Sequence, residues 1–240
     1  MTDLRDRYFL TLGFSPSGAL AKPRIEAALA RAYQLRSFEI EHYWRRATYF
    51  WGFQIAIFAA FGFLVRDSGL PDYIWNPMAV ALPALGVVTA CANSFSARGS
   101  KFWQENWERH IDMLEDSIEG SLHKMVWLDN GKVSFSVSGV NKGLSDILVA
   151  YWGLVAFYAA WNWLGCPRRL GGSSLSIFDG GFVLLVILLT IVGIFFLWQK
   201  KTSLHGWLIK AGGDYEPFSS SSSAVKTHSL VRRYAPDEVA

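Results

Sequence analysis

Cysteine is almost missing from the chain: Cys91 and Cys166 are the only two, so there is no CxxC pair for metal or redox work. Charge is missing from four long stretches. No Lys, Arg, Asp, Glu or His interrupts YFWGFQIAIFAAFGFLV (Tyr49–Val65), PMAVALPALGVVTACA (Pro77–Ala92), ILVAYWGLVAFYAAWNWLG (Ile147–Gly165) or GGFVLLVILLTIVGIFFLW (Gly180–Trp198). Catalytic signatures are missing too. There is no HExxH, GxSxG or Walker loop, and no GxGxxG in strand-to-helix context. The five histidines, His42, His110, His123, His205 and His228, are scattered without metal-ligand spacing. No repeat of about 20 to 50 residues is visible. These absences point away from a zinc enzyme, an α/β hydrolase, a P-loop NTPase and a repeat scaffold, and the expectation is a protein that is not an enzyme and holds no cofactor.

What is present is hydrophobicity in blocks, 51% of the chain being apolar. A helix of about 20 apolar residues crosses a hydrocarbon core of ~30 Å. A soluble core helix keeps a polar face for water, and the fourth block has none. The expected fold class is therefore all-α, with four transmembrane helices, a cytoplasmic helical hairpin extension and a small β-hairpin. The opening MTDLRDRYFL is charged and lacks the apolar core of a signal peptide, so the first span is expected to direct insertion itself.

Charge asymmetry gives an orientation. Arg5, Arg7, Lys22, Arg24, Arg31, Arg36, Arg45 and Arg46 precede the first block, and Lys200, Lys201, Lys210, Lys226, Arg232 and Arg233 follow the fourth. Arg98, Lys101, Arg109, Lys124, Lys132 and Lys142 lie between the second and third, leaving only Arg66, Arg168 and Arg169 for the other two connections. By the positive-inside rule both termini and the central segment are expected in the cytoplasm, in a bacterial inner membrane. The net charge of +3 is then mostly a topology signal, and no nucleic-acid partner is expected. This topology sets Cys91 and Cys166 near opposite faces of the bilayer, so both are expected to be free thiols.

The chain divides accordingly. Residues 1–48 form a cytoplasmic segment and helix, 49–65 the first span and 76–95 the second. Residues 96–144 hold a cytoplasmic helix and the β-hairpin, 145–165 and 179–199 the last two spans, and 200–240 a cytoplasmic tail. Pro23 suits a helix's first turn, and neither Gly nor another Pro occurs before Gly52, which predicts one long helix running into the first span. Pro83 should kink the second span. The run KVSFSVS alternates Val133, Phe135 and Val137 with serines after an Asp-Asn-Gly turn, and predicts a hairpin there. TSLHGWLIKAGG reads as a short interfacial turn or helix, and PFSSSSSAV as a flexible linker.

KFWQENWERHIDMLEDSIEG places Trp103, Trp107, Ile111, Leu114 and Ile118 on one helical face. Between Ser100 and Gly120 stand six acidic and two basic residues, against six basic and three acidic from Lys22 to Thr48. A helix lying on an anionic leaflet should be basic. The acidic helix is expected instead to pair with the basic one, with Trp103, Trp107 and Ile111 at the seam. Gly52, Ala56 and Ala60, and likewise Gly86 and Ala90, have the small-xxx-small spacing by which helices pack in lipid.

Ion-coupled transporters set ionisable groups at membrane depth. Within the blocks the strongly polar side chains are Gln54 and Asn162, with Thr89 and Thr190. A secondary transporter is disfavoured; a pore between subunits, lined by Gln54 and small residues, is not. Trp44, Trp51, Tyr73, Trp75, Trp161, Trp163 and Trp198 fall where an interfacial aromatic belt is expected.

The phrases FEIEHYWRRATYFWGFQIAIFAAF, KFWQENWERHIDMLE and FSVSGVNKGLSDILVAYW resemble the RipA-type small octameric bacterial inner-membrane proteins over roughly residues 35–163. The resemblance implies an inner-membrane homo-oligomer, an octamer, with a cytoplasmic part and no established enzymatic chemistry. Membrane lipid, further copies of the chain and a cytoplasmic protein are the partners expected. A scaffold or sensor is the leading functional expectation, and a pore or membrane-perturbing effector, in stress or phage response, is the alternative.

Overall fold

A computed structural model describes residues 4–14, 21–68, 76–125, 136–165, 177–200, 205–209, 215–219 and 231–233. The described chain is mostly helical: α1 (Leu4–Thr11), α2 (Ala21–Ser68), α3 (Met78–Leu114), α4 (Val137–Gly165) and α5 (Ile177–Gln199). Four of these, within Lys22–Ser68, Met78–Ser117, Val137–Asn162 and Gly181–Gln199, are long and apolar enough to cross a membrane. The 48-residue α2 is the single long helix that the absence of glycine and proline predicts, with Pro23 in its first turn. α3 continues through Pro83.

The chain forms two compact units. One comprises Met1–Phe38, Trp103–Asp129 and Lys201–Ala240, the other Glu39–Phe102 and Asn130–Lys200. In the first, Tyr8 and Phe9 of α1 close a core made with Ile25, Leu29 and Ala32 of α2 and Ile111 and Leu114 of α3. The apolar stripe Ile25–Leu29–Ala32 thus meets the Ile111–Leu114 end of the tryptophan-bearing face. After Leu114 the helix tightens into a 3-10 turn, Glu115–Ser117. The Glu115 carbonyl takes the N–H groups of Ile118, Glu119 and Gly120, and Gly120 completes the turn at φ 75°. In the second unit, Trp152 of α4 is the largest fully buried side chain and packs with Ile57, Val87 and Cys91. A further cluster joins Ala79, Val80, Ala159, Ala160 and Val183.

Two sequence expectations are corrected. Val137 and Ser138 belong to the start of α4, not to a β-strand. Ser136 caps that helix: its hydroxyl accepts the Gly139 N–H at 3.2 Å, and its carbonyl takes the Val140 N–H. Ser-x-x-Gly at an N-cap mimics strand alternation over the few residues in question, and the cap decides the outcome. The remainder of that predicted hairpin, including Asn130-Gly131, Val133 and Phe135, lies outside the described residues, as do Cys166, Tyr73, Trp75 and most of the serine run.

The second correction concerns the tail. His205–Ile209 (β1), Tyr215–Ser219 (β2) and Val231–Arg233 (β3) form an antiparallel sheet in the order β2-β1-β3. Trp207 pairs with Pro217 and Leu208 with Val231. TSLHGWLIKAGG therefore carries a strand rather than a turn or helix, and Pro217–Ser219 of the run read as a linker belong to β2, the rest of that run lying outside the described residues. Pro217, which has no N–H to give, is tolerated because β2 is an edge strand.

Candidate functional site

Three constellations of polar side chains stand out. The first is buried in the second unit. Gln54 on α2 is 3% exposed, and both ends of its amide are engaged. Its Oε1 accepts from Trp152 Nε1 at 2.7 Å, while its Nε2 donates to Thr89 Oγ1 at 2.8 Å and to the Gly86 carbonyl at 3.2 Å. Gly86 is required by this arrangement, because a Cβ there would stand 2.6 Å from the Trp152 indole. The small-residue pair Gly86 and Ala90 therefore serves packing within one chain, both being buried. Gly52 and Ala56 are exposed, and nothing lies within 4 Å of a Cβ built on Gly52. Ala60, the third member of that stripe, lines a cleft with Phe63, Arg66, Asp67, Met78 and Leu82. The other polar residues of the apolar blocks bond to their own helices: Thr89 to Leu85, Asn162 to Tyr158 and Thr190 to Val186, each at 2.7–2.9 Å. An unsatisfied polar group in hydrocarbon would be costly, and these are satisfied.

The second constellation is a polar layer that sequence reasoning missed. Asn93 donates to Ser145 Oγ at 2.8 Å, and Ser94 to Asp146 at 2.7 Å, joining α3 to α4. Asn141 takes the Trp51 indole N–H at 3.3 Å and donates to Tyr43 Oη at 2.7 Å, joining α4 to α2. Arg46 reaches Ser100 at 2.6 Å and Glu39 at 3.7 Å. Arg98 lies 3.7 Å from Asp146 and over the Phe95 ring. Asn93, Ser94, Ser100, Asn141 and Ser145 are all buried. The signal available in sequence was Asn141 and Ser145 at i, i+4 spacing, one helical face bearing two groups that need partners. Trp51, placed in the aromatic belt from sequence, has its polar edge committed to this layer. Trp44, Trp161 and Trp198 are exposed, as belt residues are.

The third lies in the first unit. Tyr8 Oη is 2.8 Å from His110 Nδ1, and the His110 ring packs on Trp107 at 5.4 Å between centroids. Burial lowers the His110 pKa and pushes the Tyr8 phenol up. Further on, Glu115 is fully buried and caps the chain's return: its carboxylate accepts the backbone N–H of His123 at 2.6 Å and of Lys124 at 3.2 Å. His123 Nδ1 meets Asp112 at 2.8 Å, and Lys124 meets Asp116 at 2.7 Å. Tyr33 donates to Glu119 at 3.0 Å; burial first, then that bond and the nearby carboxylates, push its phenol up to about 12. From α2, Arg36 reaches Glu108 at 3.2 Å. Asp112, Glu115 and Asp116 are instead held by His123 and Lys124, close in sequence and beyond the helix. Trp103 and Trp107 are half-buried, while Ile111 and Leu114 are spent on the core.

No group of three or more His, Cys, Asp or Glu among the described residues is placed to hold a metal ion. Cys91 is a buried free thiol. What the geometry does is bind helix to helix. Neither the curated proteins nor the solved structures contain a match to this chain. One family model matches residues 26–161, which run from the start of α2 nearly to the end of α4. That match covers more than half the sequence, and the chain belongs to the octameric membrane protein family, whose members are homo-oligomeric membrane proteins.

Proposed function

We propose that this protein is a non-enzymatic scaffold or sensor of a bacterial inner membrane, with both termini and the first unit in the cytosol presented to a protein partner. The observation that carries the reading is the commitment of buried polar groups to helix–helix bonds. Gln54, Asn93, Asn141 and Ser145 fix register among α2, α3 and α4. The separate core around Tyr8, Leu29 and Ile111 supports a folded body made from sequence outside the apolar blocks. Copies associate through outward small residues of α2, Gly52 and Ala56, and through the half-buried Trp103 and Trp107 of α3. The placement of cations around the blocks supports the orientation.

The test is twofold. The oligomer reconstituted in liposomes passes no ions, and photo-crosslinking from positions such as Arg109 in living cells captures a discrete cytosolic protein. Ion flux that depends on Gln54 contradicts the scaffold and supports the pore.

A further inference from the structure

Ala60, Phe63, Arg66 and Asp67 at the end of α2, with Met78 and Leu82 at the start of α3, enclose an open cleft of about 630 Å³. Its lining joins the apolar side chains of Ala60, Phe63, Leu64, Met78 and Leu82 to one guanidinium and one carboxylate, consecutive in sequence. Neither Arg66 nor Asp67 has an ion-pair partner among the described residues. Arg66 in the last turn of α2 is favoured by the helix dipole, but Asp67 beside it is disfavoured there and gains from a cation.

We propose that this cleft binds one zwitterionic aminophospholipid, with an acyl chain against Ala60, Phe63, Met78 and Leu82. The planar Arg66 fork takes the phosphate oxygens, and Asp67 accepts N–H bonds from the primary ammonium. The argument is charge complementarity: adjacent positive and negative groups match a phosphate joined to an ammonium. A purely anionic headgroup meets Asp67 unfavourably. A quaternary ammonium offers the carboxylate no N–H, and its usual recognition is an aromatic cage, of which Phe63 would be only one wall. The volume falls within the ~300–1,000 Å³ of ordinary ligand clefts. This inference needs only membrane residence and does not depend on the scaffold reading.

The experiment uses the full-length oligomer in phosphatidylcholine nanodiscs doped with a minor fraction of phosphatidylethanolamine or phosphatidylglycerol. After a detergent wash, retained lipid is counted by native mass spectrometry. The expected result is selective retention of phosphatidylethanolamine. Arg66→Ala lowers it about tenfold, as for one lost charge-assisted bond. Asp67→Asn removes the preference for phosphatidylethanolamine over phosphatidylglycerol, and Met78→Trp, filling the cleft from an exposed position, excludes lipid. Equal retention of the three lipids overturns the proposal, as does retention unchanged by Arg66→Ala and Met78→Trp. A change of particle mass in Met78→Trp also overturns it, since a second copy of the chain would then occupy the cleft.

Discussion

Trp152 lies directly over Gly86: no methyl group fits between them, and the same indole hydrogen-bonds Gln54, 98 residues away in sequence. Three helices are locked by this contact. Gly86→Ala gains ~1 kcal/mol of helix propensity. It also forces a Cβ to 2.6 Å from a rigid, fully buried ring, an overpacking penalty of ~1–3 kcal/mol. The penalty wins, and thermal unfolding in detergent is expected to shift down. Trp152→Leu should relieve the clash, so the double variant is less destabilised than the two single effects summed.

Gln54→Leu removes the acceptor of the Trp152 N–H and strands that donor in an apolar setting, with an expected loss of about 1–3 kcal/mol. Liposome flux should be absent in wild type and variant alike. The amide holds helices, so its loss appears in stability and not in conductance.

Ser136→Ala deletes the cap of α4. The expected loss is ~0.5–2 kcal/mol, visible as faster amide exchange at Gly139 and Val140. Ser136→Asp should retain most of the protection.

The docking of α1 is expected to weaken in acid. His110 is half-buried, and the desolvation lowers its pKa in the folded chain below the ordinary 6.5. The unfolded state therefore binds the proton first. The contribution is fully present above pH ~6.5 and is lost as pH falls from there through the depressed folded value. Trp107 packs on His110, so its fluorescence reports the transition. His110→Phe should flatten it over that range.

The helices were legible in the sequence and their connections were not. α2 followed from an interval without Gly or Pro, and the four apolar helices from uncharged runs. Both signals are local. The strand predicted through Val137 failed because alternation over a few residues cannot be told from the N-cap and first turn of a helix, and Ser136 supplied the cap. The Gln54–Trp152–Gly86 contact and the Asn93–Ser145 bond join residues far apart in sequence, which no periodicity reveals. The acidic face of α3 was visible, yet much of its neutralisation comes from the turn that Glu115 organises, where His123 and Lys124 fold back on Asp112 and Asp116. From the basic helix, Arg36 reaches Glu108, at the other end of that face.

The proposed assembly through α3 can be tested by a point substitution. Trp107→Asp places a carboxylate on a half-buried aromatic position, and the detergent-solubilised particle should fall to single chains. Gly52→Leu, at an exposed position where an added Cβ meets nothing within 4 Å, should leave the monomer's helicity intact while lowering oligomer yield.

The mass of the intact particle, measured by native mass spectrometry on protein released from lipid nanodiscs, bears most directly on the account. A particle of eight copies of the 26.9 kDa chain that requires amphiphile to stay in solution is the predicted result. A single chain, soluble without amphiphile, would contradict it.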